Sequence, residues 1–151
     1  MKENVLTKKI TDKEAIIGII GMGYVGIPLG IEFAQNGFEV LGFDTDEDKV
    51  NDINSGKQIM KHISTKKMKG FIENGSRATS EFNELETVDC IVMCVPTPLD
   101  IYEQPDMSFV EKATTTISQN LKKGQLIILE STTYPGTTKE IIKPILETSG
   151  L

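Results

Sequence analysis

The sequence predicts an α/β protein built on a doubly wound parallel sheet with helices on both faces. Short, largely uncharged runs of strand length alternate along the chain with segments whose apolar residues recur at helical spacing. Strands with few polar residues are typical of parallel sheets that are covered on both faces. Alternation of this kind favours right-handed crossovers between parallel strands. The length of 151 residues suits a single domain spanning 1–151.

A strand, a glycine-rich turn and a helix are predicted at the start of the chain. Residues 15–20 are almost entirely apolar and β-branched, and they end at a cluster of glycines. The next apolar residues recur at helical spacing, namely Val25, Leu29, Phe33 and Ala34. Gly37 is expected to end this helix. Pro28 is expected in the second turn of the helix, where it would remove one backbone hydrogen bond and bend the axis.

The rest of the chain continues the same alternation. The predicted elements are a strand over 38–43, a helix capped by Asp46, a lysine-rich helix over 65–74, a short strand over 77–79, a strand over 88–95, a helix over 110–121, a strand over 125–129 and a helix over 137–147. The prolines at 96 and 98 cannot continue a central strand, so a loop must begin there.

The charge balance favours a small-molecule partner. The chain carries 16 Lys and Arg against 22 Asp and Glu, for a net charge of −6, whereas nucleic-acid and anionic-membrane surfaces favour basic patches. No run approaches the ~18 apolar residues that a membrane span requires, and the N-terminus opens with charged residues. We therefore expect a soluble cytoplasmic protein that binds neither nucleic acid nor membrane.

Cys90, Cys94 and His62 are interpreted as packing or surface residues. The two cysteines share one face of a predicted strand at a separation of ~13 Å, which is too far for a disulfide. We interpret them as packing residues, with a metal or redox pair as the alternative. His62 lies in a charged stretch without a cluster of acids, which indicates a surface or hinge residue. No metal site is expected.

Three glycines at the spacing Gly-x-Gly-x-x-Gly follow the first predicted strand. Gly21 suits a tight turn with unusual dihedrals, Gly23 allows the backbone to approach a pyrophosphate, and Gly26 permits close contact between helix and strand. The free N–H groups and the dipole at the helix N-terminus favour a negative group. An ordinary strand-to-helix turn is the alternative.

Asp44 lies at the end of the second predicted strand, 23 residues after Gly21. Its carboxylate can accept both hydroxyls of an adenosine ribose, and its charge would repel a 2′-phosphate, which favours NAD over NADP. Lys49 is a nearby cation that would tolerate such a phosphate. Because the carboxylate occupies the end of the strand itself, NAD remains the expected cofactor. Substitution of Asp44 by Ala is expected to weaken NAD binding more than stability, since a strand-end carboxylate makes few packing contacts.

Two further loops are expected on the cofactor's side of the sheet. Residues 95–98 and 130–133 follow predicted strands, and ligands of open α/β sheets bind at the carboxyl ends of strands near the topological switch point. Their hydroxyls either contact the cofactor or cap their own loops. The expected cofactor-binding residues are Gly21, Gly23, Tyr24, Val25, Gly26, Asp44, Lys49, Val95, Pro96, Thr97, Ser131 and Thr132.

Three segments together resemble the UDP-glucose/GDP-mannose dehydrogenase family, over nearly the whole chain. They are GMGYVGIPL at 21–29, VPTP at 95–98 and ESTTYPGTT at 130–138. Residues 55–57 and 61–63, with the form of the third segment, look most like dehydrogenases of UDP-N-acetylated hexosamines (UDP-GlcNAc or UDP-ManNAc). Pro28 belongs to the family pattern.

The resemblance implies the NAD-binding Rossmann domain of a longer, usually homodimeric enzyme whose substrate domain is absent from this chain. Such an enzyme oxidises the C6 alcohol of a UDP-sugar to a carboxylate with two NAD through a thioester on a cysteine. That cysteine is expected beyond Leu151, so Cys90 and Cys94 inherit no catalytic role. Thr132 is carried over as a catalytic contributor, and this chain alone is expected to bind cofactor without turnover. The alternatives are an NAD(H)-sensing regulatory module and the cofactor domain of a hydroxy-acid dehydrogenase.

Overall fold

The computed structural model describes residues 5–151 and contains a five-stranded, entirely parallel sheet. The strands lie in the order β3-β2-β1-β4-β5, so the order reverses between β1 and β4. The strands are β1 (Ile17–Ile20), β2 (Val40–Phe43), β3 (Arg77–Thr79), β4 (Cys90–Met93) and β5 (Leu126–Leu129). The predicted doubly wound parallel sheet is confirmed.

Helices cover both faces of the sheet. They are α1 (Val5–Thr11), α2 (Gly26–Gln35), α3 (Glu47–Asn54), α4 (Thr65–Glu73), a 3-10 helix (Phe82–Thr87), α5 (Ser108–Gln119), a π-helical turn (Thr138–Ile142) and α6 (Lys143–Glu147). The side chain of Asp46 accepts a hydrogen bond from the backbone N–H of Lys49, which confirms the predicted cap of α3. Within residues 5–151, no helix has the length and apolarity that crossing a membrane would require.

Alternation along each strand divides the core into two clusters. Ile17 and Ile19 of β1 pack toward α1–α4, whereas Ile20 packs toward the 3-10 helix, α5 and α6. All residues of β1, β2 and β4 are buried, as expected for strands between two helical layers. The edge strand β5 differs, because Leu126 is exposed and its other residues are only half-buried.

The position of Pro28 differs from the sequence prediction. The helix α2 is assigned from Gly26, which puts Pro28 in its first turn. The N–H groups of Ile27 and Leu29, on either side of Pro28, already donate to the carbonyl oxygens four residues earlier. Helical bonding therefore begins before Gly26, and Pro28 lacks the one bond between these two, so the expected loss of a hydrogen bond is confirmed. The buried stripe of the helix also differs, since Ile27 and Ile31 face the core whereas Val25 is 52% exposed and lies outside the helix.

Helix α1 was not predicted and is held by Asp89 at the start of β4. The carboxylate of Asp89 accepts hydrogen bonds from Lys9 Nζ at 2.7 Å and from the backbone N–H of Ile16 at 3.0 Å. Asp89 is 9% exposed, so this ion pair is anchored at the base of the sheet. It lies at the opposite end of the strands from the glycine-rich turn.

Candidate cofactor-binding site

Gly21 and Gly26 are required by close backbone contacts in the turn after β1. Gly21 has φ +93°, and a Cβ added to it would lie 2.7 Å from the carbonyl oxygen of Cys94. A Cβ on Gly26 would lie 2.0 Å from the carbonyl oxygen of Gly21. Any larger residue at either position would displace the backbone, which confirms the predicted tight turn and close contact between helix and strand.

Gly23 is in a different environment, because a Cβ added to it would meet no atom within 4 Å. The open side of Gly23 adjoins the start of α2, which has no side-chain cap. The N–H groups of Tyr24 and Val25 donate no hydrogen bond within residues 5–151. Free donors at a helix N-terminus attract anionic groups, so the turn fits the pyrophosphate of a dinucleotide.

Asp44 is attached to the glycine-rich turn by hydrogen bonds from three protein donors. Its Oδ2 accepts from the backbone N–H of Met22 at 3.0 Å and from Lys49 Nζ at 2.9 Å, and its Oδ1 accepts from the backbone N–H of Asp46 at 3.0 Å. A carboxylate offers about four lone-pair positions, so one position on Oδ1 remains. The expectation that Asp44 makes few contacts is therefore wrong, because the side chain is 10% exposed and fully engaged on Oδ2.

A cavity of about 410 Å³ opens at the carboxyl ends of β1, β2, β4 and β5. Eleven of the twelve residues expected to contact the cofactor line it, and Gly26 is buried beneath the turn instead. Sequence reasoning missed Cys94, and it placed the loop that begins at Glu130 on this side without naming Glu130 as a contact residue. The full lining is Gly21, Gly23, Tyr24, Val25, Asp44, Lys49, Cys94, Val95, Pro96, Thr97, Glu130, Ser131 and Thr132.

A hydrogen bond connects the two loops that follow β4 and β5. Ser131 Oγ donates to the carbonyl oxygen of Val95 at 2.7 Å. The hydroxyl of Ser131 thus fixes one loop against the other, which matches the loop-capping alternative. Thr132 is exposed and lines the same cavity.

A second cavity of about 420 Å³ adjoins the first on the α5 side of the sheet. It shares five lining residues with the first cavity, namely Gly21, Asp44, Lys49, Val95 and Pro96. Phe82 and Phe109 give it aromatic walls, a lining that suits a flat ring. Sequence reasoning missed this cavity because its walls come from segments far apart in the chain.

The two cysteines are free thiols, and neither is poised to react. Burial raises the pKa of Cys90. Burial and the nearby charge of Glu130 raise the pKa of Cys94 to about 11. The thiolate is the reactive form, so both thiols remain protonated near neutral pH. Cys94 is only half-buried and lines the cavity, while His62 is exposed as expected.

The fold and the site define a dinucleotide-binding α/β domain. A parallel sheet changes direction between β1 and β4, a glycine turn leads into an uncapped helix, and an acid ends the adjacent strand. Ligands of such sheets bind at this position.

The chain belongs to the UDP-glucose/GDP-mannose dehydrogenase family, and the sequence model of the family's NAD binding domain matches residues 15–150. NAD is the cofactor of this domain. The chain is 35% identical over 137 residues to UDP-N-acetyl-D-glucosamine 6-dehydrogenase of Pseudomonas aeruginosa, with 89% of this chain and 31% of that protein covered. It is 33% identical over 137 residues to UDP-N-acetyl-D-mannosamine dehydrogenase of Pyrococcus horikoshii, with 89% and 32% covered. The chain therefore spans about a third of the length of these curated relatives.

A solved structure shows the same similarity in three dimensions. NDP-N-acetyl-D-galactosaminuronic acid dehydrogenase from Methanosarcina mazei superposes with a TM-score of 0.83 at 31% identity, covering 97% of this chain and 34% of that one. The resemblance to the family and the Rossmann fold are both confirmed.

Proposed function

We propose that this chain supplies the cofactor site of an NAD-dependent dehydrogenase that oxidises the C6 alcohol of a UDP-N-acetylhexosamine to a carboxylate. The observation that carries the proposal is the cavity shared by the glycine-rich turn, Asp44 and the two loops after β4 and β5. The names of two relatives, which act on UDP-N-acetyl-D-glucosamine and UDP-N-acetyl-D-mannosamine, supply the substrate class.

In this proposal, the turn at Gly23 and the start of α2 hold the pyrophosphate, and Asp44 accepts a hydroxyl of the adenosine ribose. The aromatic cavity beside α5 takes the adenine. Bound NAD supplies the hydride acceptor. Conversion of an alcohol to a carboxylate removes four electrons, and each NAD accepts two, so one oxidation consumes two NAD.

Thr132 is proposed as a catalytic contributor because it lines the cavity at the end of β5. The cysteine that forms the thioester is proposed to lie outside residues 1–151. The raised pKa values of Cys90 and Cys94 support this assignment, since both thiols are poor nucleophiles at neutral pH.

NAD is proposed to bind more tightly than NADP. The carboxylate of Asp44 lines the cavity and keeps one acceptor position on Oδ1. A ribose hydroxyl can donate to that position, whereas a 2′-phosphate offers only acceptor oxygens. Lys49 lies 2.9 Å from that carboxylate, so its charge is engaged by Asp44 and does not offer an unpaired cation to a phosphate.

The longer protein is proposed to be a cytoplasmic homodimer in which residues 1–151 form the NAD-binding domain. Two-thirds of each curated relative lies outside the matched region. The substrate-binding residues and the dimer contacts are proposed to belong to that remaining part.

Calorimetric titration of the 151-residue chain with NAD, NADP and ADP-ribose tests the cofactor assignment. NAD and ADP-ribose are expected to bind, and NADP more weakly. Absence of NAD binding, or tighter binding of NADP, would contradict the proposal. A parallel assay of NADH formation from UDP-N-acetylglucosamine is expected to show no turnover by this chain and turnover by the full-length gene product.

A further inference from the structure

Glu130 ends the edge strand β5 and lines the cofactor cavity. Its backbone N–H donates to the carbonyl oxygen of Met93 at 2.9 Å, which fixes the residue beside the end of β4. The side chain is exposed and lines the cavity together with Cys94 and Thr132. Its position follows from the parallel register, in which Met93 pairs with Leu129.

The strand order places Glu130 at the far end of the cavity from Asp44. Asp44 follows β2, the glycine turn follows β1, Cys94 follows β4 and Glu130 follows β5. Neighbouring strands lie ~4.8 Å apart, so β5 is roughly 14 Å from β2. This step rests on the proposed function: with the adenosine ribose at Asp44 and the pyrophosphate at the turn, the nicotinamide extends toward β4 and β5.

Glu130 is the uncompensated charge of the cavity wall. Three charged side chains line the cavity within residues 5–151, namely Asp44, Lys49 and Glu130. Asp44 and Lys49 neutralise each other at 2.9 Å. Glu130 makes no ion pair and accepts no side-chain hydrogen bond in the described part of the chain. Its charge acts on the cavity, since it contributes to the raised pKa of Cys94.

We propose that Glu130 is a specificity-determining residue that makes the site favour oxidised over reduced nicotinamide. The oxidised ring carries a positive charge and the reduced ring is neutral, while the remainder of the dinucleotide is the same. A carboxylate near the ring therefore attracts only the oxidised form. At a separation of roughly 6 Å across a solvated cavity, this attraction corresponds to about a 3- to 10-fold difference in affinity.

The test measures dissociation constants of NAD⁺, NADH and ADP-ribose for the 151-residue chain and its variants. Glu130→Gln removes the charge at constant size, and Glu130→Asp retains it. Glu86→Gln is the matched control, because Glu86 is exposed on the 3-10 helix and lies outside the cavity. ADP-ribose lacks the nicotinamide and reports on the rest of the site. Thermal melting confirms that each variant is folded.

In Glu130→Gln, the ratio of the NADH to the NAD⁺ dissociation constant is expected to fall by about 3- to 10-fold. It should remain near the wild-type ratio in Glu130→Asp and Glu86→Gln, and ADP-ribose binding should not change. The difference between wild type and Glu130→Gln should shrink at high salt. An unchanged ratio in Glu130→Gln, with all three ligands still bound, would overturn the role of Glu130 alone. Failure of the wild-type chain to bind any of them would overturn the proposed function as well.

Discussion

Replacement of Asp44 by Ala is expected to reduce both the stability of the domain and its affinity for NAD. The carboxylate accepts hydrogen bonds from the backbone N–H of buried Met22, from the backbone N–H of Asp46 and from the ammonium group of Lys49. A hydrogen bond to a charged acceptor contributes about 1.5–3 kcal/mol. The exposed N–H of Asp46 can bond to water instead, so most of the loss comes from the bond of Met22.

The ion pair with Lys49 adds less to this loss. Lys49 is 31% exposed at its side chain, and pairs of this kind contribute about 0.2–1 kcal/mol. The free energy of unfolding of Asp44→Ala should therefore fall by about 2–4 kcal/mol. Lys49→Met keeps both backbone bonds to Asp44 and should lose less than about 1 kcal/mol.

Urea denaturation of the wild type and the two variants, followed by circular dichroism, measures these differences. NAD affinity is then measured by calorimetry at a temperature where Asp44→Ala is fully folded. Loss of one charged hydrogen bond to the ribose should weaken NAD by about 10- to 100-fold. A change in unfolding free energy no larger than that of Lys49→Met would refute the structural role of the carboxylate. Wild-type NAD affinity in folded Asp44→Ala would refute its role toward the ribose.

Three further predictions follow from local geometry. Gly26→Ala should lower the melting temperature sharply, since its Cβ would lie 2.0 Å from a backbone oxygen. Gly23→Ala should melt like wild type, because its Cβ would meet no atom, and should still weaken NAD binding in calorimetry. Equal melting temperatures of the two variants would contradict this difference. The side chain of Asn54 donates to the carbonyl oxygen of Ala78 on edge strand β3 and accepts from its N–H. Asn54→Ala should therefore lower the free energy of unfolding in urea by about 1–3 kcal/mol. An unchanged urea midpoint would contradict the importance of these two bonds. The pKa of Cys94 is raised to about 11 from an ordinary 9.0, so its alkylation rate, followed by mass spectrometry, should climb through pH 9–11. The free energy of unfolding should fall over the same range, because the thiol ionises first in the unfolded chain. An alkylation rate that levels off below pH 9 would contradict the raised pKa.

The elements that could be predicted are those whose pattern is local. The strands at 17–20 and 40–43 are buried on both faces, so their sequences are nearly all apolar and stand out from their surroundings. Helix α1 was missed because it has seven residues and contains no buried side chain. Its place is set by the packing of Leu6 and Ile10 against the core and by the ion pair between Lys9 and Asp89, 80 residues apart. Composition carries no signal for such contacts.

The site was predictable wherever function depends on the end of a strand. The glycine-rich turn, Asp44 and the loop at 95–97 all follow apolar runs directly, and all line one cavity. Cys94 was missed and Glu130 was not named as a contact residue, although both follow the same rule and come immediately after their strands. The pairing of Met93 with Leu129 places Cys94 and Glu130 side by side. This register depends on tertiary packing and cannot be read from the sequence of either strand alone.

Met22, an unspecified position in the glycine motif, explains how the turn keeps its shape before a cofactor binds. Its side chain is 1% exposed and lies against β2, where a Cβ on Gly42 would approach its Sδ to 2.6 Å. Its N–H donates to Asp44 at the end of the same strand. The side chain of Met22 thus anchors the turn in the core, and its backbone N–H anchors the turn to Asp44 in the cavity. A turn held in this way loses little conformational entropy on binding, and such preorganisation increases affinity. Gly42, which lies in a strand and outside every motif, therefore contributes to the cofactor site by leaving room for Met22.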